Sequence, residues 1–247
     1  MDAPGRLLGS GKEAEVFEYG DLALKLYRPG ASKASPFREA ANLAIIERHA
    51  LPAPKVHGVD IHADRWGLLM DRAAGPSFGD AAMSPSPRPV LDKMARLHRM
   101  IHEKPGYGLP SLKTRLSMNI LRADGLDAAL RHRLVQTLAG LPDGDRLCHG
   151  DFHPWNIHGK PDEVMIVDWL DACIGSSAAD VCRTYVLLRH VDPAMALLYV
   201  DIYANLAEVE TEEIFSWLPL MAAARLAEGV AAEQEDLLLM ASQTSVP

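Results

Sequence analysis

Apolar and polar positions along the chain fall into two regimes. Up to about position 71 the runs are short and strand-like. Val16–Tyr19 and Leu22–Tyr27 flank Gly20-Asp21, the signature of a tight hairpin. Val56–Ile61 and Gly67–Asp71 form a second pair. Between the pairs, SPFREAANLAIIERHALPAP carries apolar positions at helical spacing and stops at Pro52 and Pro54. The segment Gly75 to Pro89 is dense in Gly, Ser and Pro and reads as a loop. Beyond it Val90, Met94, Leu97 and Ile101 recur at helical spacing, as do Leu112, Leu116, Ile120 and Leu121. A short extended insert follows at Arg146–His149, Ile157–His158 and Val164–Val167. Helical segments resume near Ala178 and continue almost to the end. The pattern predicts an α+β protein: a small sheet lobe with one helix, then a mostly helical lobe, with a ligand cleft expected between two such lobes. The boundary is expected near residue 74, giving segments 1–74 and 75–247.

Composition narrows the function classes. No apolar run approaches the roughly 18 residues of a membrane-spanning helix. MDAPGRLLGSGKEAEV lacks the basic-then-apolar order of a secretory signal. Cys148, Cys173 and Cys182 form no CxxC and read as free thiols of a reducing cytoplasm, the expected location. A formal net charge of −8 argues against nucleic acid as a partner, since phosphate-backbone binding needs a basic surface. The same charge is compatible with a cationic partner.

Candidate chemistry concentrates in LCHGDFHPWNIHGKPDEVMIVDWLDA, Leu147 to Ala172. Asp151 and Asn156 suit a tight loop presenting a carboxylate and an amide to one point, and Asp168 follows the apolar strand Met165-Ile166-Val167. Asn156 and Asp168 are hard oxygen donors of the kind magnesium takes, with phosphate oxygens completing its shell. Asp151 is then left to accept a hydroxyl proton. In the N-terminal half, Gly9-Ser10-Gly11 precedes the strand containing Val16, and Lys25 lies in the next strand. A P-loop reading of GSGK fails, because Glu13 follows Lys12 and Arg6 stands where the first glycine belongs. On the intervening helix Glu39, Leu43 and Ile46 fall on one face, and a carboxylate on an apolar face needs a partner. Lys25 is the expected partner of Glu39.

HGDFHPWN followed by VDW resembles the catalytic and metal-binding motifs of the aminoglycoside phosphotransferase family, which has a protein-kinase-like fold and includes kinases of choline, homoserine and other metabolites. The resemblance implies a bilobal fold. It implies Asp151 as catalytic base, His149 as support of its loop, and Asn156 and Asp168 as ligands of Mg2+, with ATP as phosphoryl donor and GTP left open. Gly9, Ser10 and Gly11 resemble the kinase glycine-rich loop, with Ala14 where a third glycine would stand, and Lys25 and Glu39 resemble the phosphate-orienting pair. Gly67 to Gly75 resembles the hinge, where backbone groups from Met70 to Ala73, Arg72 among them, would meet the purine. Leu97-His98 resembles the family's Leu-His pair, and His98 is expected as a hydrogen-bonded core residue. IGSSAADVCRT resembles GDPxxDLA with Ser-Ser in place of Asp-Pro, and Asp180 is expected to cap the helix it begins.

The resemblance implies a small hydroxyl compound as acceptor, and together with the acidic charge it points to one bearing amines. Neutral or zwitterionic acceptors of choline, homoserine or sugar type stay open. Asp171 and Glu228 are the candidate acceptor-binding carboxylates, although the i, i+3 spacing of Arg225 and Glu228 favours a surface ion pair for Glu228. Three rival readings explain less. A zinc site at His149, Asp151 and His153 leaves Asn156, Asp168 and the N-terminal half unused. A non-catalytic pseudokinase leaves a complete set of catalytic residues unexplained. A protein kinase needs an activation segment, for which about ten residues after Asp168 leave little room.

Overall fold

The computed structural model describes residues 4–160 and 163–243. Five antiparallel strands build the N-terminal sheet in the order β1-β2-β3-β5-β4. They are β1 (Leu7–Ser10), β2 (Ala14–Tyr19), β3 (Leu22–Tyr27), β4 (Val56–His62) and β5 (Arg65–Asp71). Gly20 takes a positive φ of 60°, as the β2–β3 hairpin requires. Helix α1 (Ala34–Ile46) packs on β4 and β5 and buries Glu39, Asn42, Leu43 and Ile46. β1 escaped the sequence pattern because all four of its residues are exposed, so no apolar alternation marks it.

Helices α2 (Gly79–Ala82), α3 (Arg88–His102), α4 (Leu112–Arg122) and α5 (Ala128–Gly140) follow. Three short strands come next: β6 (Arg146–Cys148), β7 (Ile157–Lys160) and β8 (Glu163–Ile166). The chain ends with β9 (Cys173–Gly175), α6 (Ser177–Val191), α7 (Pro193–Ala207), α8 (Thr211–Phe215), α9 (Leu218–Leu226) and α10 (Gln234–Ser242). β7 pairs with β8 and β6 with β9 as two small antiparallel ladders.

Contacts divide the chain into two compact units. The first is Met1–Asp80 with Pro154–Asp171, so the β7–β8 hairpin belongs to the sheet unit. Its backbone joins that unit through Phe78 N to Ile157 O and Ile166 N to Pro52 O. The second is Ala81–His153 with Ala172–Pro247. There α3, α6 and α7 pack together, and α9 sits against α4, α6 and α10. α6 is the hub, with every residue from Ala178 to Val186 buried. Among the described residues no helix is long and apolar enough to cross a membrane.

Candidate active site

Lys25 sits on β3 opposite Val16 of β2 and Leu68 of β5, so its strand is paired on both sides. A lysine there is buried, at 6% exposure. Its Nζ donates to Glu39 Oε1 at 2.9 Å and lies 2.8 Å from Glu39 Oε2. It also donates to Asp168 Oδ1 at 2.8 Å. The Tyr27 hydroxyl also donates to Oε2 of the fully buried Glu39. Burial pushes the Glu39 carboxyl up from its ordinary pKa, against the pull of Lys25. Burial opposes the Lys25 charge, but Glu39 and Asp168 outweigh it and hold the ammonium above its usual value.

The β7–β8 register brings the two expected metal ligands together. Ile157 faces Ile166, so Asn156 and Val167 sit at the open end of the ladder, where Val167 N donates to Asn156 O at 2.9 Å. Asp168 comes next, in a left-handed conformation with φ 65°. A non-glycine residue there carries strain of about 1–2 kcal/mol and needs anchoring. Asn42 of α1 supplies an anchor: its buried amide donates to the carbonyls of Trp169 at 3.0 Å and Leu170 at 3.2 Å. The donor set of one amide oxygen and one carboxylate suits a hard divalent cation. α1 therefore reaches the Asp168 segment twice, through Glu39 and Lys25 and through Asn42.

Gly9 and Ser10 end β1, and Gly11 opens the turn to β2, its N–H donating to Ala14 O at 2.9 Å. Arg28 braces that turn by donating to Ser10 Oγ at 2.8 Å and to Gly11 O at 2.9 Å. A Cβ at Gly9 would meet nothing within 4 Å, and one at Gly11 would meet Ala14 O at an ordinary 3.7 Å. The chain's own packing therefore does not explain either glycine. Met70 lies within the ladder, paired with Ala23 of β3 and Val56 of β4. Arg72 follows β5 and holds Glu18 at 3.2 Å, a carboxylate that Arg6 also grips. Asp171 is half-buried in the turn that precedes β9.

The second unit holds Asp151. Asp180 of α6 accepts the N–H groups of His149 at 2.7 Å and Gly150 at 2.9 Å. The Thr184 hydroxyl donates to Phe152 O at 2.8 Å. The N–H of Asp151 turns back to His149 Nδ1 at 3.2 Å. Asp180 also bonds Nε2 of His98 at 2.9 Å and of His102 at 3.2 Å, and their Nδ1 atoms meet the hydroxyls of Tyr199 and Tyr203 at 2.6 Å each. Burial, with His102 beside it, pushes His98 down to about 3. Burial alone would raise the Asp180 carboxyl, but the hydrogen bonds from His102 and His98 hold it well below the ordinary range. His98 is thus neutral, donating from Nε2 to Asp180 and accepting at Nδ1 from Tyr199.

The Asp151 carboxylate is a quarter exposed, 3.4 Å from His153 Nε2 and 3.4 Å from Arg183 Nη2. Burial pushes its pKa up, and His153 and Arg183 override that and keep it ionised well below the usual range. Arg183 Nη2 reaches Glu228 at 2.8 Å, and Glu228 also pairs with Arg225, as the i, i+3 spacing allows.

The structure thus brings Lys25, Glu39, Asn156 and Asp168 into one unit and His149, Asp151 and Glu228 into the other. It corrects the reading of Asp180. The N-cap of α6 is Ser176, and Asp180, inside the first turn, spends its carboxylate on amides some 30 residues upstream rather than on its own helix. Asn42, Arg28 and Arg183 were missed. Asn42 lies three residues from Glu39 on the same apolar face, a signal that was available; Arg28 and Arg183 carry no local one.

The phosphotransferase enzyme family model matches residues 5–214. An aminoglycoside 3'-phosphotransferase of Streptomyces fradiae is 28% identical over 225 residues, covering 79% of this chain and 75% of the relative. In fold, the chain matches a thermostable mutant of the aminoglycoside phosphotransferase APH(4)-Ia, solved with ADP and hygromycin B. The TM-score is 0.67 at 15% identity, covering 95% of this chain and 89% of that one. A choline/ethanolamine kinase family protein from Mesorhizobium loti matches with TM-score 0.62 at 18% identity, over 95% of this chain and 81% of that one. The five-stranded antiparallel sheet and the helical C-terminal part are those of kinase-like phosphotransferases. With most of its length matched by the family model, the chain belongs to the phosphotransferase enzyme family.

Proposed function

We propose that the protein transfers the γ-phosphoryl group of ATP to a hydroxyl of a small, amine-bearing acceptor of aminoglycoside type. The observation that carries this reading is the buried Glu39–Lys25–Asp168 chain, which holds one ammonium between two carboxylates. Lys25 is fixed in direction and kept charged, as a group that binds phosphate oxygens must be. The absent side chains at Gly9 and Gly11 let backbone approach a ligand closely. Backbone groups from Met70 to Ala73 are assigned to the purine. A divalent cation held by Asn156 and Asp168 would neutralise charge on the phosphate oxygens.

Asp151 is the proposed base. It takes the acceptor hydroxyl's proton as the new oxygen–phosphorus bond forms and the bond to the ADP oxygen breaks. Its depressed pKa makes it a weak base that is ionised at every physiological pH, suited to orienting the hydroxyl and receiving its proton late. His149 shapes the loop by accepting the Asp151 N–H. The amine-bearing acceptor is supported by the Streptomyces fradiae relative and by the net charge of −8.

The test measures ADP release from Mg-ATP and GDP release from Mg-GTP with an aminoglycoside, choline, homoserine and glucose in turn. Release driven by the aminoglycoside and by ATP is the expected result. Release driven only by glucose overturns the amine requirement and leaves the kinase reading standing. Release that no hydroxyl compound stimulates, or activity that survives chelation of magnesium with one zinc bound per chain, overturns the kinase reading.

A further inference from the structure

α6 is buried all round from Ala178 to Val186, yet carries Asp180, Arg183 and Thr184 at i, i+3 and i+4. These three share one helix face and grip consecutive backbone groups of the loop that bears Asp151. Asp180 takes the N–H groups of His149 and Gly150, Arg183 Nε donates to Gly150 O at 3.3 Å, and Thr184 donates to Phe152 O. Arg183 differs from the other two because it also reaches the Asp151 side chain, at 3.4 Å. Its side chain is 10% exposed, and the same Nη2 lies closer to Glu228, at 2.8 Å, so the two carboxylates compete for one nitrogen. Glu228 is held in turn by Arg225, which grips Glu233 through two contacts of 2.7 Å. Charges of alternating sign thus run from Asp151 through Arg183, Glu228 and Arg225 to Glu233.

The geometry points to Arg183 and Glu228 as positioning residues for the base: Arg183 fixes the Asp151 carboxylate, and Glu228 acts on it only through Arg183. The kinetic consequence rests on Asp151 being the base; the structural one does not. A planar guanidinium serves here because its fork spans Gly150 O, Asp151 and Glu228 at once, which an ammonium cannot. Glu228 holds the fork back from Asp151. With Glu228 neutral, Arg183 closes on Asp151, pulls the carboxylate from its place and lowers its basicity. Glu228 thereby leaves the set of acceptor ligands, since its carboxylate is engaged by two guanidinium groups.

The experiment compares Arg183→Gln, Arg183→Lys, Glu228→Gln and the double variant Arg183→Gln/Glu228→Gln, with Mg-ATP and an aminoglycoside as probe. Arg183→Gln should lower kcat about 100-fold, the loss associated with misplacing a reacting group by about 1 Å. Glu228→Gln should lower kcat about tenfold with the acceptor KM within twofold. The double variant should be no slower than Arg183→Gln alone, because Glu228 then has nothing to act through. Arg183→Lys should recover part of the Arg183→Gln loss. A second readout needs no activity: hydrogen exchange of the peptide covering residues 149–153, in full-length protein with Mg-ATP and no acceptor. It should speed up in Arg183→Gln, which frees Gly150 O and Asp151, and should not speed up in Glu228→Gln, where Arg183 stays on the loop. Losses that multiply in the double variant, a tenfold rise in acceptor KM for Glu228→Gln with kcat intact, or exchange in Arg183→Gln unchanged from wild type would each overturn the proposal. If no acceptor drives turnover in the wild type, the function reading falls and the exchange measurement alone decides this one.

Discussion

Asn42 offers the sharpest test of how the first unit is held together. Its amide, 3% exposed, donates to two carbonyls, Trp169 O and Leu170 O, directly after Asp168. Asn42→Ala leaves both acceptors unpaired in a buried place, and each such orphan costs about 1–3 kcal/mol. Some of that is recovered by water entering the space left, so the expected loss is about 2–4 kcal/mol. For a chain of this size about 1 kcal/mol shifts Tm by roughly 2–4 °C, so Tm should fall by about 5–15 °C. Function should suffer separately. Asp168 sits at φ 65°, and without the anchor behind it the residue relaxes and releases about 1–2 kcal/mol of strain by moving its carboxylate. Divalent-cation binding, read with Mn2+ by electron paramagnetic resonance in the presence of ADP, should weaken about tenfold, the equivalent of about 1.4 kcal/mol. Asn42→Asp is the discriminating variant, because it points a buried carboxylate at two carbonyl oxygens and should be less stable than Asn42→Ala. An Asp variant as stable as wild type would refute the hydrogen-bond assignment. An Ala variant that loses stability but binds Mn2+ normally would refute the link to Asp168.

Asp151→Asn should lower turnover at least about 100-fold while the Mg-ATP dissociation constant stays within a few-fold; more than about a tenth of wild-type turnover would refute the base assignment. Lys25→Met should raise the ATP KM or lower kcat with the fold retained, and Glu39→Gln should do the same more mildly. The double variant should be no worse than Lys25→Met, so additive losses in steady-state kinetics would show that the pair does not act as one unit. His98 predicts acid sensitivity. A histidine in the unfolded chain protonates near 6.5, whereas the folded one, held at about 3 by burial and His102, does not. Between those values the unfolded chain binds the extra proton, so stability falls as pH drops, by up to about 1.4 kcal/mol per unit from this residue. Urea unfolding at pH 7 and pH 5 should show that slope reduced by one proton in His98→Asn; an unchanged slope would refute the assignment.

The elements that the sequence revealed are those whose own residues carry the pattern. The β2–β3 hairpin has Gly20-Asp21 between alternating strands, and α1 has an apolar face at regular spacing. Glu39 was legible because a carboxylate on that face is costly unless paired, and its fully buried side chain does meet Lys25. β1, fully exposed, and β9, three residues long, owe their existence to the partners β2 and β6 and carry no local signal. Asp180 could be read as important but not for what. A carboxylate in the first turn of a helix fits a cap, and only the folded chain shows that the N–H groups of His149 and Gly150 arrive there instead. Arg183 was illegible for a related reason, since an arginine on a helix is exposed by default and α6 is buried on every side.

The acidic charge of the whole chain is a poor guide to the surroundings of Asp151. The second unit places Arg183 and Arg225 among Asp151, Glu228 and Glu233, so the cluster sums to one net negative charge. Two guanidinium groups within bonding distance screen Glu228 from any third cation far more effectively than solvent salt does. An amine that used Glu228 would have to displace Arg183 or Arg225 and leave a buried guanidinium short of its counter-ion, which is strongly unfavourable. Long-range attraction from a net charge of −8 raises the encounter rate of a cationic acceptor, but it does not by itself supply a binding site. What this cluster can do well is hold one carboxylate ionised and correctly turned, a task that is indifferent to the acceptor's charge. An amine on an acceptor would therefore need a counter-charge other than Glu228, whose carboxylate is already shared by two guanidinium groups.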